Sequence, residues 1–241
     1  MTVWWSKAVL IGGVIAALLL PLGALGSKFG IWHFGVGFMF LQGAAVLAVI
    51  MLVGGIVGWI VATKKGLGGD KPGLLLGCLV SALVLTFMGM QYRTATTVPP
   101  IHNITTNPSD PPQFDAVVAL RGDSSNPLEY KAAELAPQQQ AAYPSLQTLQ
   151  IAAAPADALQ RSQQALESMG LEIVAVSPDQ GLVEATDTTF WFGFKDDVVV
   201  RVRPAAGGSA IDVRSVSRVG MSDLGANAAR IGKFLKAMDA G

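Results

Sequence analysis

The sequence predicts an α-helical membrane region of three spans followed by an α+β domain, an antiparallel sheet with helices on one face. The main evidence is a change of composition along the chain. Between Ala8 and Ala62 the only ionisable residues are Lys28 and His33. From Tyr92 onward the chain carries 12 Lys and Arg against 16 Asp and Glu, a net charge of −4. Two composition classes in one chain indicate two physical environments.

Three apolar runs predict the membrane region, which we assign to residues 1–93. The runs cover about residues 4–25, 36–62 and 73–91. Each is long enough for a helix that crosses the hydrocarbon core, which takes about 20 residues. The first run also fits a cleaved signal peptide within residues 1–26, an alternative that would leave the following domain on the same side of the membrane. The spans carry no charged residue near their middle, which argues against an ion or proton path.

The short loops predict the orientation of these spans. Cations are more frequent at the N-terminus and between the second and third spans than on the opposite side, and such loops face the cytoplasm. The C-terminal domain is therefore expected outside the cytoplasm. The cations on the inner side are Lys7, Lys64, Lys65 and Lys71, and those on the outer side are Lys28 and Arg93.

Residues 94–143 form a segment rich in proline, which opposes long helices and central strands. We expect an extended tether that packs on the domain in places. Within it, Ile101 and Phe114 bound a stretch that could anchor the tether to a surface. His102 is the only histidine outside the membrane region, and a single loop histidine is usually solvated.

Residues 144–241 predict the α+β domain, with elements in the order β-α-β-β-β-β-α. The first helix starts after Pro155 and stops at Gly170, as helix-end preferences require. Ser222 or Asp223 caps the second helix. The strands are expected at residues 146–151, 171–177, 182–189, 198–203 and 210–217.

The last two strands are predicted to form a hairpin. Val198, Val200 and Val202 alternate with Val199, Arg201 and Arg203, which is the period of a half-buried strand. If the hairpin is symmetric about its turn, Arg201 faces Asp212 across the ladder.

Before this hairpin lies an aromatic cluster, Phe190–Phe194. One interpretation makes it core with a bulge at Gly193. The other makes part of it an exposed platform that touches lipid, because tryptophan favours the membrane interface. We expect two of the four aromatic side chains in the core.

Several kinds of chemistry are excluded. The domain has no histidine or cysteine from Pro144 onward, so it can build neither a Ser-His-Asp nor a Cys-His arrangement. Cys78 is the only cysteine and lies in an apolar run, so there is no disulfide framework. Phosphate-binding glycine motifs and metal-ligand spacings are absent, and the mild acidity argues against nucleic acid. We predict no catalytic, metal-binding or cofactor-binding residue and favour a non-enzymatic protein.

A basic set near the last helix suggests an anion or partner site. Arginines beside a helix N-terminus can bind phosphate or carboxylate. The alternative, which we favour, is that the arginines pair with the aspartates of the same stretch. The predicted anion site comprises Arg214, Ser217, Arg218, Ser222, Asp223, Asn227 and Arg230.

Two stretches resemble a known family. ATDTTFWFGFKDDVVVRVR (Ala185–Arg203) and IDVRSVSRVGMSDLGANAARIGKFLKAM (Ile211–Met238) are similar to the domain of unknown function 1499 family. The tether motif IHNITTNPSDPPQF is also similar to the family's, which usually reads His-Asp-Ile-(Ser/Thr)-Thr-Asp before a double proline. Asn103 and Asn107 replace those aspartates here. The resemblance covers about residues 101–238.

The resemblance implies a membrane-anchored bacterial protein and no particular activity. We therefore expect a multi-pass protein of the bacterial inner (cytoplasmic) membrane with its domain on the periplasmic side. A sheet that grips a C-terminal helix is also similar to helix-grip modules, an analogy of fold alone.

The first hypothesis for function is an envelope protein whose periplasmic domain binds a partner protein or an anionic lipid. One alternative is a small-ligand or hydrolytic site between the sheet and the last helix, built from Asp197, Arg214, Arg218 and Asp223. The other is an accessory subunit of a larger membrane complex. The lipid bilayer is a partner in all three.

Overall fold

A computed structural model of the chain describes residues 3–239. The first two and last two residues, which the predicted bounds of the membrane region and of the domain include, lie outside the described residues. The chain divides into two compact units. One comprises Met1–Thr94 and Phe190–Gly193, and the other Ala95–Thr189 and Phe194–Gly241.

The first unit consists mainly of three long helices, α1 (Trp4–Lys28), α2 (Phe34–Lys64) and α3 (Lys71–Thr97). All three are long and apolar enough to cross a membrane, which confirms the predicted three-helix membrane region. Pro21 lies inside α1 without ending it, as membrane helices tolerate. The protein is therefore a membrane protein.

Small residues let these helices approach closely. A Cβ atom built on Gly77 of α3 would lie 2.9 Å from the backbone carbonyl oxygen of Val9 in α1, a close approach typical of membrane helices. Directly before α3, the buried Asp70 accepts hydrogen bonds from Val3 N–H (2.7 Å) and Ser6 Oγ (2.6 Å). Its carboxylate thus satisfies donors in the first turn of α1.

The second unit is built on a six-stranded antiparallel sheet. Its order is β1-β6-β5-β4-β3, and β2 also pairs with β6. From β2 onward the elements follow the predicted order, which confirms the α+β class. The strands are β1 (Asn103–Thr105), β2 (Leu149–Ile151), β3 (Glu172–Ser177), β4 (Leu182–Thr188), β5 (Lys195–Ala205) and β6 (Gly208–Ser217); the helices are α4 (Ala132–Ala142), α5 (Pro155–Ser168) and α6 (Ala226–Asp239).

One face of the sheet carries the hydrophobic core beneath α5 and α6. Val198, Val200 and Val202 project from β5 into this core, as their alternation predicted. Leu166 of α5 and Phe234 of α6 pack in the same cluster. Burial of these side chains, at about 25 cal/mol per Å² of apolar surface, is the main force that holds the helices on the sheet.

The register of the β5–β6 hairpin confirms the predicted pair. Arg201 lies directly opposite Asp212 across the ladder, and its Nη2 donates to Asp212 Oδ2 at 2.8 Å. Because a shift of one residue would turn Val198, Val200 and Val202 away from the core, the pair and the core select the same register.

The other face of the sheet is polar and also buried. The segment that connects β1 to α4 covers it, and Glu184 there accepts hydrogen bonds from the N–H groups of Asp115 and Ala116. The segment expected as a tether thus contributes β1, α4 and the cover of this face. β1 is a three-residue strand without proline at the sheet edge, and α4 is an 11-residue helix that contains Pro137.

Candidate functional site

Strand alternation divides the predicted anion site between the two faces of the sheet. Ser215 and Ser217 of β6 face α6, whereas Arg214 faces the polar side. Arg218 also bonds groups of the polar side. The residues expected to form one patch therefore belong to two separate clusters, one on the helix side of the sheet and one on its polar face.

Arg230 of α6 is the charged centre of the helix-side cluster. Its Nη2 lies 2.6 Å from Asp187 Oδ2 and 2.7 Å from Asp196 Oδ2. Burial alone would lower the pKa of Arg230, but the charges of Asp196 and Asp187 outweigh it, so the pKa is raised. The guanidinium is thus neutralised by two carboxylates inside the protein.

Asn227 joins this ion pair to β6 and β1. Its Oδ1 accepts from Ser215 Oγ and from Arg230 Nη1, both at 2.6 Å. Its Nδ2 donates to Ser217 Oγ at 2.9 Å and to the carbonyl oxygen of His102 at 3.0 Å. Protein groups thus occupy both acceptor positions of the amide oxygen and both donor positions of the amide nitrogen. A buried side chain satisfied in this way stabilises the fold.

Asp223 caps α6, one of the two capping residues that the sequence suggested. Its Oδ2 accepts from the N–H of Asn227 and its Oδ1 from the N–H of Gly225, each at 2.8 Å. Burial raises the pKa of Asp223, and the nearby charge of Asp196 acts in the same direction. Ser222 Oγ accepts from the N–H of Leu224 at 3.2 Å, so this hydroxyl stabilises the loop before the helix.

On the polar face, Arg218 pairs with Asp197. Its Nε lies 3.0 Å from Asp197 Oδ2, and its Nη2 lies 2.8 Å from Asp197 Oδ1, a bidentate contact. Arg121 binds the same carboxylate, and Thr186 Oγ donates to it at 2.9 Å. Asp197 is thus a fully buried carboxylate that two arginines neutralise.

Arg214 is fully buried on the same face and has a different environment. It donates to Asn103 Oδ1 (3.1 Å), to the carbonyl oxygen of Pro112 (3.0 Å) and to that of Leu128. The rings of Phe114 and Tyr130 lie 5.3 and 5.8 Å from its Cζ. Burial lowers the pKa of Arg214 to about 10, so the group remains charged at neutral pH.

The interpretation that the arginines pair with aspartates of the same stretch describes most of this set. Ion pairs link Arg201, Arg203, Arg218 and Arg230 to aspartates. The four residues of the alternative ligand site do not converge: Asp197 and Arg218 bridge each other, Asp223 caps α6, and Arg214 is enclosed by carbonyl groups and aromatic rings. No group of three His, Cys, Asp or Glu side chains within residues 3–239 is placed to hold a metal ion.

Some important residues carried no signal in the sequence. Arg121 and Asn126 lie in the segment expected as a tether, yet Arg121 shares Asp197 with Arg218. Asn126 Nδ2 donates to the carbonyl oxygens of Ser217 (3.0 Å) and Gly220 (2.8 Å). These contacts join residues about 76 to 94 positions apart in the chain. A local sequence pattern cannot predict contacts over such a separation, because it depends only on neighbouring residues.

The loop between β6 and α6, residues 218–225, carries two exposed apolar side chains that were not part of the predicted site. Met221 is 83% exposed and Leu224 is 44% exposed. Leu224 has φ +54°, the only positive φ of a non-glycine residue within the described part of the chain. A bulky side chain in this left-handed region is unusual and costs about 1 kcal/mol or more. The loop thus holds an apolar side chain at the surface in a strained conformation.

Comparison with known proteins agrees with the resemblance noted from the sequence. The search of curated proteins gives no match. Residues 103–238, more than half of the chain, match the family described as Protein of unknown function (DUF1499). The matched region contains β1, the polar cover, the sheet and α6 almost to its end. The chain therefore belongs to the DUF1499 family.

Proposed function

We propose that this protein is a non-enzymatic, membrane-anchored binding protein whose α+β domain lies outside the cytoplasm. The domain binds a partner protein through the loop of residues 218–225. The observation that carries the proposal is the exposure of Met221 and Leu224 on a loop that the rest of the domain holds rigidly.

The rigidity of the loop comes from hydrogen bonds at both ends. Asn126 holds its beginning through the carbonyl oxygens of Arg218 (2.7 Å) and Gly220 (2.8 Å). Asp223 and the backbone turn it into α6. A loop that is already fixed before binding loses little conformational entropy when a partner docks, so its apolar side chains contribute more of their burial energy to affinity.

The backbone strain at Leu224 supports the same proposal. Glycine or asparagine would adopt φ +54° at a lower energy than leucine. Strained residues of this kind persist where the surroundings hold them in place, and they concentrate at functional sites. A leucine at this position is therefore better explained by what its side chain contacts in a complex than by the stability of the domain alone.

The charges favour a protein partner over an anionic lipid headgroup. An anion site requires arginines with free donors, whereas Arg218 already makes a bidentate contact with Asp197 and Arg230 binds two aspartates. To bind phosphate there, the domain would have to break buried ion pairs, each of which costs several kcal/mol to disrupt. Apolar contacts through Met221 and Leu224 carry no such cost.

The test compares asparagine substitutions of two exposed apolar residues in the full chain, purified in mild detergent from its host. Leu224→Asn relieves the φ strain and makes the loop polar, so we expect unchanged or higher thermal stability together with loss of a co-purifying protein. Val176→Asn is the matched control, because Val176 is also exposed (37%) but lies on β3, the edge strand farthest from β6 in the sheet. The proposal fails if both variants retain the same co-purifying proteins.

The position of the domain outside the cytoplasm rests on the distribution of lysines and has its own test. Alkaline phosphatase, which folds only outside the cytoplasm of bacteria, is fused after Gly241. We expect an active fusion, whereas green fluorescent protein at the same point should stay dark after export through the general secretion route. An inactive phosphatase with a fluorescent counterpart would reverse the orientation.

A further inference from the structure

We infer that the loop Phe190–Gly193 is a membrane anchor that inserts its aromatic side chains into the headgroup region of the bilayer. This loop connects β4 to β5 along the chain, but its contacts group it with the membrane helices. The inference rests on the contacts of the loop within that unit, on the exposure of two of its aromatic rings, and on the membrane depth of the lysine that holds it.

Lys28 sets the depth of the loop. It is the last residue of α1, a helix long and apolar enough to span the membrane. Lysines at the ends of such helices place their ammonium group at the boundary between hydrocarbon and water. Lys28 Nζ donates to the carbonyl oxygen of Phe190 at 2.8 Å and lies 4.7 Å from the centre of the Phe190 ring. Phe190 is therefore held at the depth of that ammonium group.

Two further contacts hold the loop against the ends of the helices. The ring of Phe192 lies 5.2 Å from that of Phe38 in the first turns of α2. Gly193 has φ +70°, and a Cβ atom at that position would lie 3.2 Å from Lys28 Cα. Glycine therefore allows both the turn and the close approach of the loop to the end of α1.

The outer side of the loop presents aromatic surface that the protein does not cover. Phe190 is 69% exposed and Trp191 is 53% exposed, and their rings meet edge to face at 5.1 Å. Beside Lys28, the short connection between α1 and α2 adds Phe29 and Ile31, which are also exposed. Tryptophan at this depth is typical of the aromatic belt of membrane proteins. Exposure of the apolar ring surface to water would cost about 25 cal/mol of free energy per Å². Lipid headgroups and the upper acyl chains cover this surface and remove that cost.

The test measures the depth of position 191 by electron paramagnetic resonance of the full chain in liposomes. Cys78, the only cysteine, is replaced (Cys78→Ala), and single cysteines are then introduced for spin labelling. Trp191→Cys reports on the loop, Leu18→Cys on the lipid-facing middle of α1, and Gln164→Cys on the exposed surface of α5. The ratio of collision rates with oxygen and with a water-soluble nickel reagent gives the depth of each label.

We expect the ratio at position 191 to be shifted from the value at Gln164 towards that at Leu18, and to match the value of a label at Phe29. The inference is overturned if the label at 191 is as accessible to nickel as the label at Gln164, since the loop would then lie in water. It is also overturned if the label matches Leu18, since the loop would then lie in the hydrocarbon core. The label at Phe29 reports whether the helices are inserted, so a misfolded sample is recognised independently.

Discussion

At the scale of single residues, Arg214 is unusual because it is a buried charge without an ion-pair partner among the described residues. The ion pairs found among residues 3–239 do not include it, although it is fully buried. Its planar guanidinium is held instead by three oxygen acceptors and two aromatic rings. The fork geometry of arginine allows these contacts together, and the single ammonium group of lysine does not.

We predict that Arg214→Lys lowers the free energy of unfolding of the domain by about 3 kcal/mol, because it leaves a buried charge with fewer partners and buried carbonyls without donors. Arg203→Lys is the control, since the Arg203 side chain is 43% exposed and its ion pair with Asp212 is partly solvated; there we expect less than about 1 kcal/mol. Pulse proteolysis in urea, applied to the full chain in detergent, measures both. Equal losses would contradict this account of Arg214.

Asp223 makes the stability of the folded domain depend on pH. Burial and the charge of Asp196 raise its pKa in the folded protein above the ordinary value of 3.8. Between pH 3.8 and the raised pKa the folded state therefore binds more protons than the unfolded chain, and stability falls as pH rises through this window.

Asp223→Asn removes this titration and keeps one side-chain oxygen, which can still accept one of the two N–H groups that the carboxylate binds, those of Gly225 and Asn227. We predict that the stability of the variant relative to the native chain increases as pH rises above 3.8. The urea midpoint measured by proteolysis across this range checks it.

Asp212→Asn should behave in the opposite way. Burial alone would raise the pKa of Asp212, but hydrogen bonds from Thr148 and Arg201 lower it overall, so its stabilising effect is lost as pH falls.

At the scale of elements, β1 and α4 show how a proline-rich segment becomes part of a sheet. The side chain of Gln139 in α4 completes the outer edge of β1. Its Oε1 accepts from Thr105 N–H at 3.0 Å and its Nε2 donates to the Thr105 carbonyl oxygen at 2.6 Å. A single glutamine thus takes the place of a neighbouring strand, which also protects this edge from pairing with another chain.

We predict that Gln139→Leu lowers the free energy of unfolding by about 2 kcal/mol, because it leaves the backbone N–H and carbonyl of Thr105 buried without partners. Gln140→Leu is the control, since Gln140 is the next residue in the same helix and is exposed. Hydrogen–deuterium exchange of the β1 peptide should rise in the first variant and stay unchanged in the second. Unchanged exchange in both variants would mean that β1 does not depend on α4.

At the scale of the whole molecule, the folded domain begins well before the first predicted strand. The segment that starts at Ala95 provides an edge strand, the acceptors of Arg214 and a second partner of Asp197. Without this segment, the polar face of the sheet would expose carboxylates and arginines whose partners had been removed. We therefore expect the independently folding part of the chain to begin before residue 144, the first residue of the predicted domain.

We predict that a chain beginning at Ala95 unfolds cooperatively in urea and that a chain beginning at Pro144 does not. The shorter chain lacks β1 and the cover of the polar face. Binding of a hydrophobic dye and the steepness of the urea transition distinguish the two. A shorter chain with an equally steep transition and a similar midpoint would show that residues 95–143 are dispensable for folding.

Local pattern was sufficient for much of the architecture. Apolar runs predicted the three long helices, because crossing a bilayer requires both length and hydrophobicity. The alternation of Val198, Val200 and Val202 predicted the core face of β5, and the symmetry of the hairpin predicted the Arg201–Asp212 pair. The cap at Asp223 followed from residue type and position. Each of these features depends on residues close together in the chain.

The sequence by itself thus determined that this is a membrane protein of the DUF1499 family with an antiparallel α+β domain. Only the tertiary structure decided what its charged residues do. Arg214 and Ser215 are adjacent in the chain, but they lie on opposite faces of β6 and have partners up to 111 positions away. Partners that distant are chosen by strand register and by the path of the covering segment. No local pattern of residues encodes either of these, because each results from the packing of the whole domain.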